Sequence, residues 1–98
     1  MTIPSADTFD ARKLAIIGDF NIDVILGEVD NLPRVGYDTV SPEYSIEPGG
    51  SAAIVALGLA RVGWNTELYA NVGNDLFGHY LRDGSREVGL RLMNCADD

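Results

Sequence analysis

Two short stretches hold polar groups in arrangements that could do chemistry. In Asn21-Ile22-Asp23, positions i and i+2 of an extended chain face one side, so an amide and a carboxylate sit together. A carboxylate accepts hydrogen bonds and an amide both donates and accepts, which suits the vicinal hydroxyls of a sugar. The same pair also occurs at solvated strand ends, and spacing alone leaves both readings open. The second stretch is Pro48-Gly49-Gly50-Ser51, directly before an apolar run. Glycine lets backbone approach a ligand closely, and free N–H groups at a helix N-terminus attract anions or hydroxyl oxygens. A strand-to-helix turn needing positive φ would use the same residues. No Gly-Lys-Ser/Thr follows, so this is not a Walker A loop. Nor does Gly18-Asp19-Phe20-Asn21 supply the Gly-x-Gly-x-x-Gly of dinucleotide sites.

The other candidates read as structural. Asn74-Asp75-Leu76-Phe77-Gly78 looks like a helix cap with a packed aromatic. His79 is the only histidine and falls on the polar side of its helix, so neither a histidine metal cluster nor a Ser-His pair is available. Trp64 reads as a partly buried packing residue. Cys95 is the only cysteine and cannot form an internal disulfide, which fits a reducing compartment. No metal site and no catalytic residue is assigned within the chain.

These residues need elements to hold them. Leu14-Ala15-Ile16-Ile17 is a continuous apolar run, as expected of a strand covered on both faces of a parallel sheet. Alternation follows, with Ile22, Val24 and Leu26 on one side and Asn21, Asp23 and Ile25 on the other, in the same strand or a second one beginning at Gly18-Asp19. Thr39-Val40-Ser41 and Tyr44-Ser45-Ile46 read as short polar strands. Pro42 and Pro48 confine them to an edge or a small exposed sheet. Ser51 is placed to cap a helix that ends at Gly63 and is apolar almost all round, hence buried on several sides. Thr66–Val72 reads as a strand. A helix from Asn74-Asp75 to about Val88 has Leu76, Phe77, Tyr80, Leu81 and Val88 as its apolar positions, and Leu90–Met93 reads as a further strand. Alternating strands and helices of this kind define an α/β chain with a parallel sheet.

Composition narrows the function classes. The 98 residues allow one domain or part of one, and 46% apolar with 22% charged residues is ordinary for a globular chain. Fifteen acidic against seven basic residues give a net charge of −8 with no basic cluster, which argues against nucleic-acid binding. The stretch Met1–Lys13 lacks the basic start and apolar run of a secretory signal, and Ala52–Ala60 is too short to span a bilayer. A cytoplasmic location is expected, with residues 1–12 as a flexible leader.

The pieces occur in a recognisable order. Ile16–Asp23 resembles the first strand of PfkB family (ribokinase-like) carbohydrate kinases, and Leu32-Pro33-Arg34-Val35-Gly36-Tyr37-Asp38-Thr39-Val40 resembles their lid segment. Gly49-Gly50-Ser51-Ala52-Ala53, with Ala56 and Leu59–Gly63, is similar to the family's first signature, and Val72–Gly78 to its "VGxDxFG" segment. The resemblance implies a ribokinase-like α/β fold over residues 13–98, here a partial parallel βαβ sheet with helices and a small β lid at about residues 37–48. It implies that Asn21 and Asp23 hold sugar hydroxyls while Gly49 and Gly50 close round a sugar or nucleoside. It also implies a lid that pairs subunits in some members, and ATP with Mg²⁺ as cofactors of the full-length enzyme. Two positions depart from the pattern. Ile54 stands where the family's helix often carries a sugar-binding Asn, and Ser51 where ribokinase-like members have Lys. An aliphatic group cannot donate to a hydroxyl, which points away from ribose.

Family members are roughly three times this length, and their Gly-Ala-Gly-Asp motif and nucleotide site lie far downstream. Nothing in residues 1–98 matches that motif. The expectation is therefore the substrate-binding N-terminal portion of an ATP-dependent sugar or nucleoside kinase, inactive alone and binding no nucleotide itself. The alternatives are a non-catalytic sugar-binding or interaction module, or a truncated fragment without function.

Overall fold

The computed structural model of the chain describes residues 13–96, so the proposed leader at 1–12 lies outside the described residues. The elements in chain order are β1 (Lys13–Ile17), β2 (Asn21–Gly27), β3 (Glu43–Gly49), α1 (Ser51–Arg61), β4 (Asn65–Ala70), α2 (Leu76–Val88) and β5 (Arg91–Asn94). Strands β1, β4 and β5 form a parallel sheet in that spatial order, while β2 and β3 form a separate antiparallel ribbon. Parallel strands need long crossovers, and α1 and α2 lie in the two connections. The first apolar run and the alternating stretch after it are thus two strands in two sheets, parted at Gly18–Phe20. Phe20 is 4% exposed, and its burial fixes where the chain leaves one sheet for the other.

The core lies between the helices and one face of the parallel sheet. Leu68 and Ala70 of β4 pack there with Ala53, Ala56 and Ala60 of α1 and with Leu81 and Leu90. Small alanines at helical spacing let α1 approach β4 closely. The expectation that α1 is buried on several sides does not hold within this chain. Only the alanine stripe is buried, whereas Ile54, Val55 and Val62 are 57%, 54% and 74% exposed. On α2 the buried positions are Gly78, Leu81 and Ser85, while Leu76, Phe77 and Tyr80 lie largely outside the core. Ser85 belongs inside because its hydroxyl donates back to the Leu81 carbonyl at 2.8 Å.

The turns follow local chemistry. Asp75 caps α2, its Oδ1 accepting from the Gly78 N–H at 2.7 Å. Gly63 adopts φ +101°, and the N–H groups of Gly63 and Trp64 close α1 on the carbonyls of Ala60 and Leu59. Ser51 does not cap α1: Gly50 holds the N-cap position and Ser51 begins the helix. No strand forms over Thr39–Ser41, whereas β3 runs unbroken through Pro48. Pro48 faces Ile22, and having no N–H it occupies a pair that exchanges no hydrogen bonds, so the ladder tolerates it.

The other face of the parallel sheet carries Ile17, 82% exposed, and Met93, 41% exposed. At its centre Glu67 is nonetheless only 7% exposed. Tyr69 donates to Glu67 Oε2 at 2.6 Å, Lys13 pairs with Oε1 at 3.2 Å, and Arg91 donates to Oε1 from β5. Donation from the Tyr69 hydroxyl, followed by the bond with Lys13, holds the Glu67 carboxyl below the usual carboxylate range. The Tyr69 hydroxyl is raised above the usual tyrosine range because that hydrogen bond would be lost on ionisation.

Candidate functional site

The ribbon register brings the proposed site residues together. Asn21 lies opposite Gly49 and Asp23 opposite Glu47, so Asn21, Asp23, Gly49 and Glu47 share one face of the ribbon. Gly49 is buried, and a Cβ built on it would come 2.5 Å from Asp23 Oδ1. The Asp23 carboxylate therefore lies directly over the Gly49 backbone, in space that any other residue would fill. Gly50 has φ +96° and ψ 130°, a conformation costly to other residues. A Cβ there would come 2.5 Å from the Asp19 carbonyl oxygen and 3.6 Å from Asn21 Nδ2. The Asn21 amide thus stands beside the Gly50 backbone.

Helix α1 starts at this point. Its first bond runs from the Ile54 N–H to the Gly50 carbonyl at 2.9 Å, and no side chain caps its N-terminus. The N–H groups of the first turn have no partner within the helix, and they carry its positive dipole end. Gly18 completes the junction, because a Cβ on it would overlap the Ala52 side chain. A carboxylate acceptor, an amide and an open helix N-terminus therefore converge within one turn of backbone. This set can bind a polyhydroxylated molecule: Asp23 accepts from hydroxyls, while Asn21 and the helix N–H groups donate to them. Ile54, in the first turn of α1, presents an exposed aliphatic side chain.

The remaining candidates fall elsewhere. Asn21 also lines a cleft of about 340 Å³ with Phe20, Asn71, Asp75, Phe77 and Leu81. Asp75 is committed to its cap, and Phe77 is 46% exposed rather than packed in the core. His79 is exposed, as is the Cys95 thiol. Trp64 is 39% exposed. Asn94 is among the structural residues that escaped the sequence reading. The Asn94 side chain accepts from the Val72 N–H at 3.1 Å and donates to the Val72 carbonyl at 2.9 Å, pinning the loop before α2. An asparagine closing a short apolar strand was its only signal. Among the described residues no three acidic, histidine or cysteine side chains gather as a metal site, and no helix is long and apolar enough to cross a membrane.

A parallel α/β sheet joined to an antiparallel ribbon that roots at a glycine-opened helix is the architecture of ribokinase-like kinases. The chain belongs to the pfkB family of carbohydrate kinases, whose model matches residues 11–98. It is 40% identical over 68 residues to a sugar kinase of Pyrococcus horikoshii, covering 69% of this chain and 20% of that protein. Among solved structures it is similar to the ribokinase of Thermotoga maritima, with TM-score 0.75, 25% identity, and coverage of 85% of this chain and 28% of that one. It shares its fold with a fructokinase of Xylella fastidiosa solved with bound ATP, with TM-score 0.59, 24% identity, and coverage of 88% of this chain and 27% of that one. The chain thus spans between a fifth and three-tenths of the length of these relatives.

Proposed function

We propose that this chain is the substrate-binding N-terminal portion of an ATP-dependent kinase that transfers the γ-phosphate to a hydroxyl of a sugar or nucleoside. The observation that carries this reading is the Asp23 carboxylate lying over Gly49 beside the open N-terminus of α1. Asp23 accepts from substrate hydroxyls, Asn21 donates and accepts, and Gly49 and Gly50 let the substrate approach backbone N–H groups. The ribbon serves as the lid. Its exposed Val24, Ile25, Leu26 and Tyr44 offer an apolar surface for a substrate or for the lid of a second copy.

Among the described residues Lys13 and Arg91 are both engaged with Glu67. The reading assigns ATP and Mg²⁺ to the part of the relatives that lies beyond this stretch, and it expects this chain alone to be inactive. A cytoplasmic setting accords with it.

The test is Asp23→Ala in an enzyme that contains the stretch. Sugar use should fall by at least tenfold while nucleotide affinity stays within twofold, because a lost charge-assisted bond is worth about 1.5–3 kcal/mol. Unchanged sugar kinetics would remove Asp23 from the site. A second reading is a non-catalytic binding or interaction module, motivated by Ile54, exposed in the first turn of α1 where the family's helix often carries a sugar-binding Asn. Calorimetry of the chain against sugars and nucleosides distinguishes the two, since a module binds one of them without the rest of the enzyme.

A further inference from the structure

We propose that Tyr80 is a positioning residue whose hydroxyl latches the β2–β3 ribbon to α2 and sets the angle of the ribbon's polar face over the α1 N-terminus. The Tyr80 hydroxyl donates to the Ile46 carbonyl at 2.8 Å, joining residues 34 positions apart. The strand's own chemistry presents that carbonyl. Pro48 has no N–H, which assigns the Ile22–Pro48 pair to the pairs without ladder bonds. Two residues along, the Val24–Ile46 pair has the same character, so the Ile46 carbonyl turns outward from the ladder, where the Tyr80 hydroxyl reaches it.

The surroundings leave the ribbon free to move about this tie. A groove of about 480 Å³ lies beside it, lined by Phe20, Pro48, Leu57, Tyr80 and Leu81 among others. Farther out the ribbon has no support from the core, with Val24, Leu26 and Tyr44 56%, 59% and 71% exposed. Phe20 and the partly buried Ile22 anchor its root in the core. Tyr80 ties it one strand farther across, on the β3 side. Tyr80 is 42% exposed, so water can compete with its hydroxyl for the Ile46 carbonyl. The effect on substrate rests on the function proposed above, whereas the latch stands on geometry alone.

Amide hydrogen exchange on the full chain tests it without a substrate. Three proteins are compared: unmodified, Tyr80→Phe, and Tyr44→Phe as a control that removes an exposed ribbon hydroxyl. Amides of β2 and β3 should exchange about two- to tenfold faster in Tyr80→Phe, the worth of one partly exposed hydrogen bond. Those of β4 and α1 should be unchanged, and Tyr44→Phe should match the unmodified chain. Equal ribbon exchange in Tyr80→Phe overturns the proposal. So does an equal rise in β4, or global unfolding, either of which would make the hydroxyl a general support of the fold. Failure of the substrate reading looks different: the ribbon loosens in Tyr80→Phe, yet Asp23→Ala leaves sugar use unchanged.

Discussion

Replacing Gly50 by alanine makes two separate demands on the junction between ribbon and helix. The backbone at φ +96°, ψ 130° is open to glycine and strained for any L side chain, at a cost on the order of 1–3 kcal/mol. The new methyl would also sit 2.5 Å from the Asp19 carbonyl oxygen, roughly 1 Å inside normal contact. Relief requires backbone to move beside the buried Phe20, and overpacking of this kind costs about 1–3 kcal/mol. Together these come to about 2–6 kcal/mol, and in a domain of this size each kcal/mol lowers Tm by about 4–8 °C. The melting point should therefore fall by about 10 °C or more. Gly58→Ala is the internal control. Gly58 lies inside α1 with nothing within 4 Å of a built Cβ, so alanine there should raise stability by about 0.5–1 kcal/mol. Thermal unfolding followed by circular dichroism compares the three proteins. A Gly50→Ala chain that melts within about 2 °C of the unmodified one would refute this account of the junction.

Two further outcomes follow from the polar contacts. Glu67 titrates below the usual carboxylate range, so its contribution to stability is complete above that range and is lost as pH falls through its lowered value. Tyr69 titrates above its usual range, so its contribution persists below that range and is lost as pH rises through the raised value. A Glu67→Gln chain should therefore lose less stability than the unmodified chain at both extremes, as read from urea midpoints across pH. Identical pH profiles would show the cluster to be thermodynamically idle. Asn94→Ala removes both bonds to the Val72 backbone and should cost about 1–3 kcal/mol in urea unfolding, with exchange at Val72 speeding up.

Local chemistry was legible in the sequence, and cross-chain register was not. Asp75 as a cap and Gly63 as a stop depend on residues within one turn, and both stand where the sequence places them. The strand–helix order follows from apolar periodicity. The parting of Ile17 from Asn21 into two sheets is set by the burial of Phe20, which no short-range pattern announces. The inward face of α2 was read only in part: Leu81 and Val88 meet the core as their spacing suggests, but Leu76, Phe77 and Tyr80 do not, and Gly78 and Ser85 take inward positions instead, a Cβ on Gly78 colliding with the Gly73 carbonyl. The meeting of Asn21, Asp23, Gly49 and Gly50 was foreseen from family order, but the overlap of Asp23 with Gly49 needs the antiparallel register to be seen. Glu67 read as one strand residue among others, because Lys13 and Arg91 reach it only from neighbouring strands.

The buried Phe20 makes the ribbon a lever with its fulcrum beside the polar face. Each ribbon strand has seven residues, about 20 Å of reach at roughly 3.3 Å per residue. A 10° swing about the root would carry the far end by about 3.5 Å but shift Asp23, two residues from the strand's start, by only about 1 Å. The tip can thus sweep over an opening while the carboxylate hardly leaves its station. Sequence change or insertion between Gly27 and Glu43 would alter what the tip covers and leave the geometry at Asn21 and Asp23 intact.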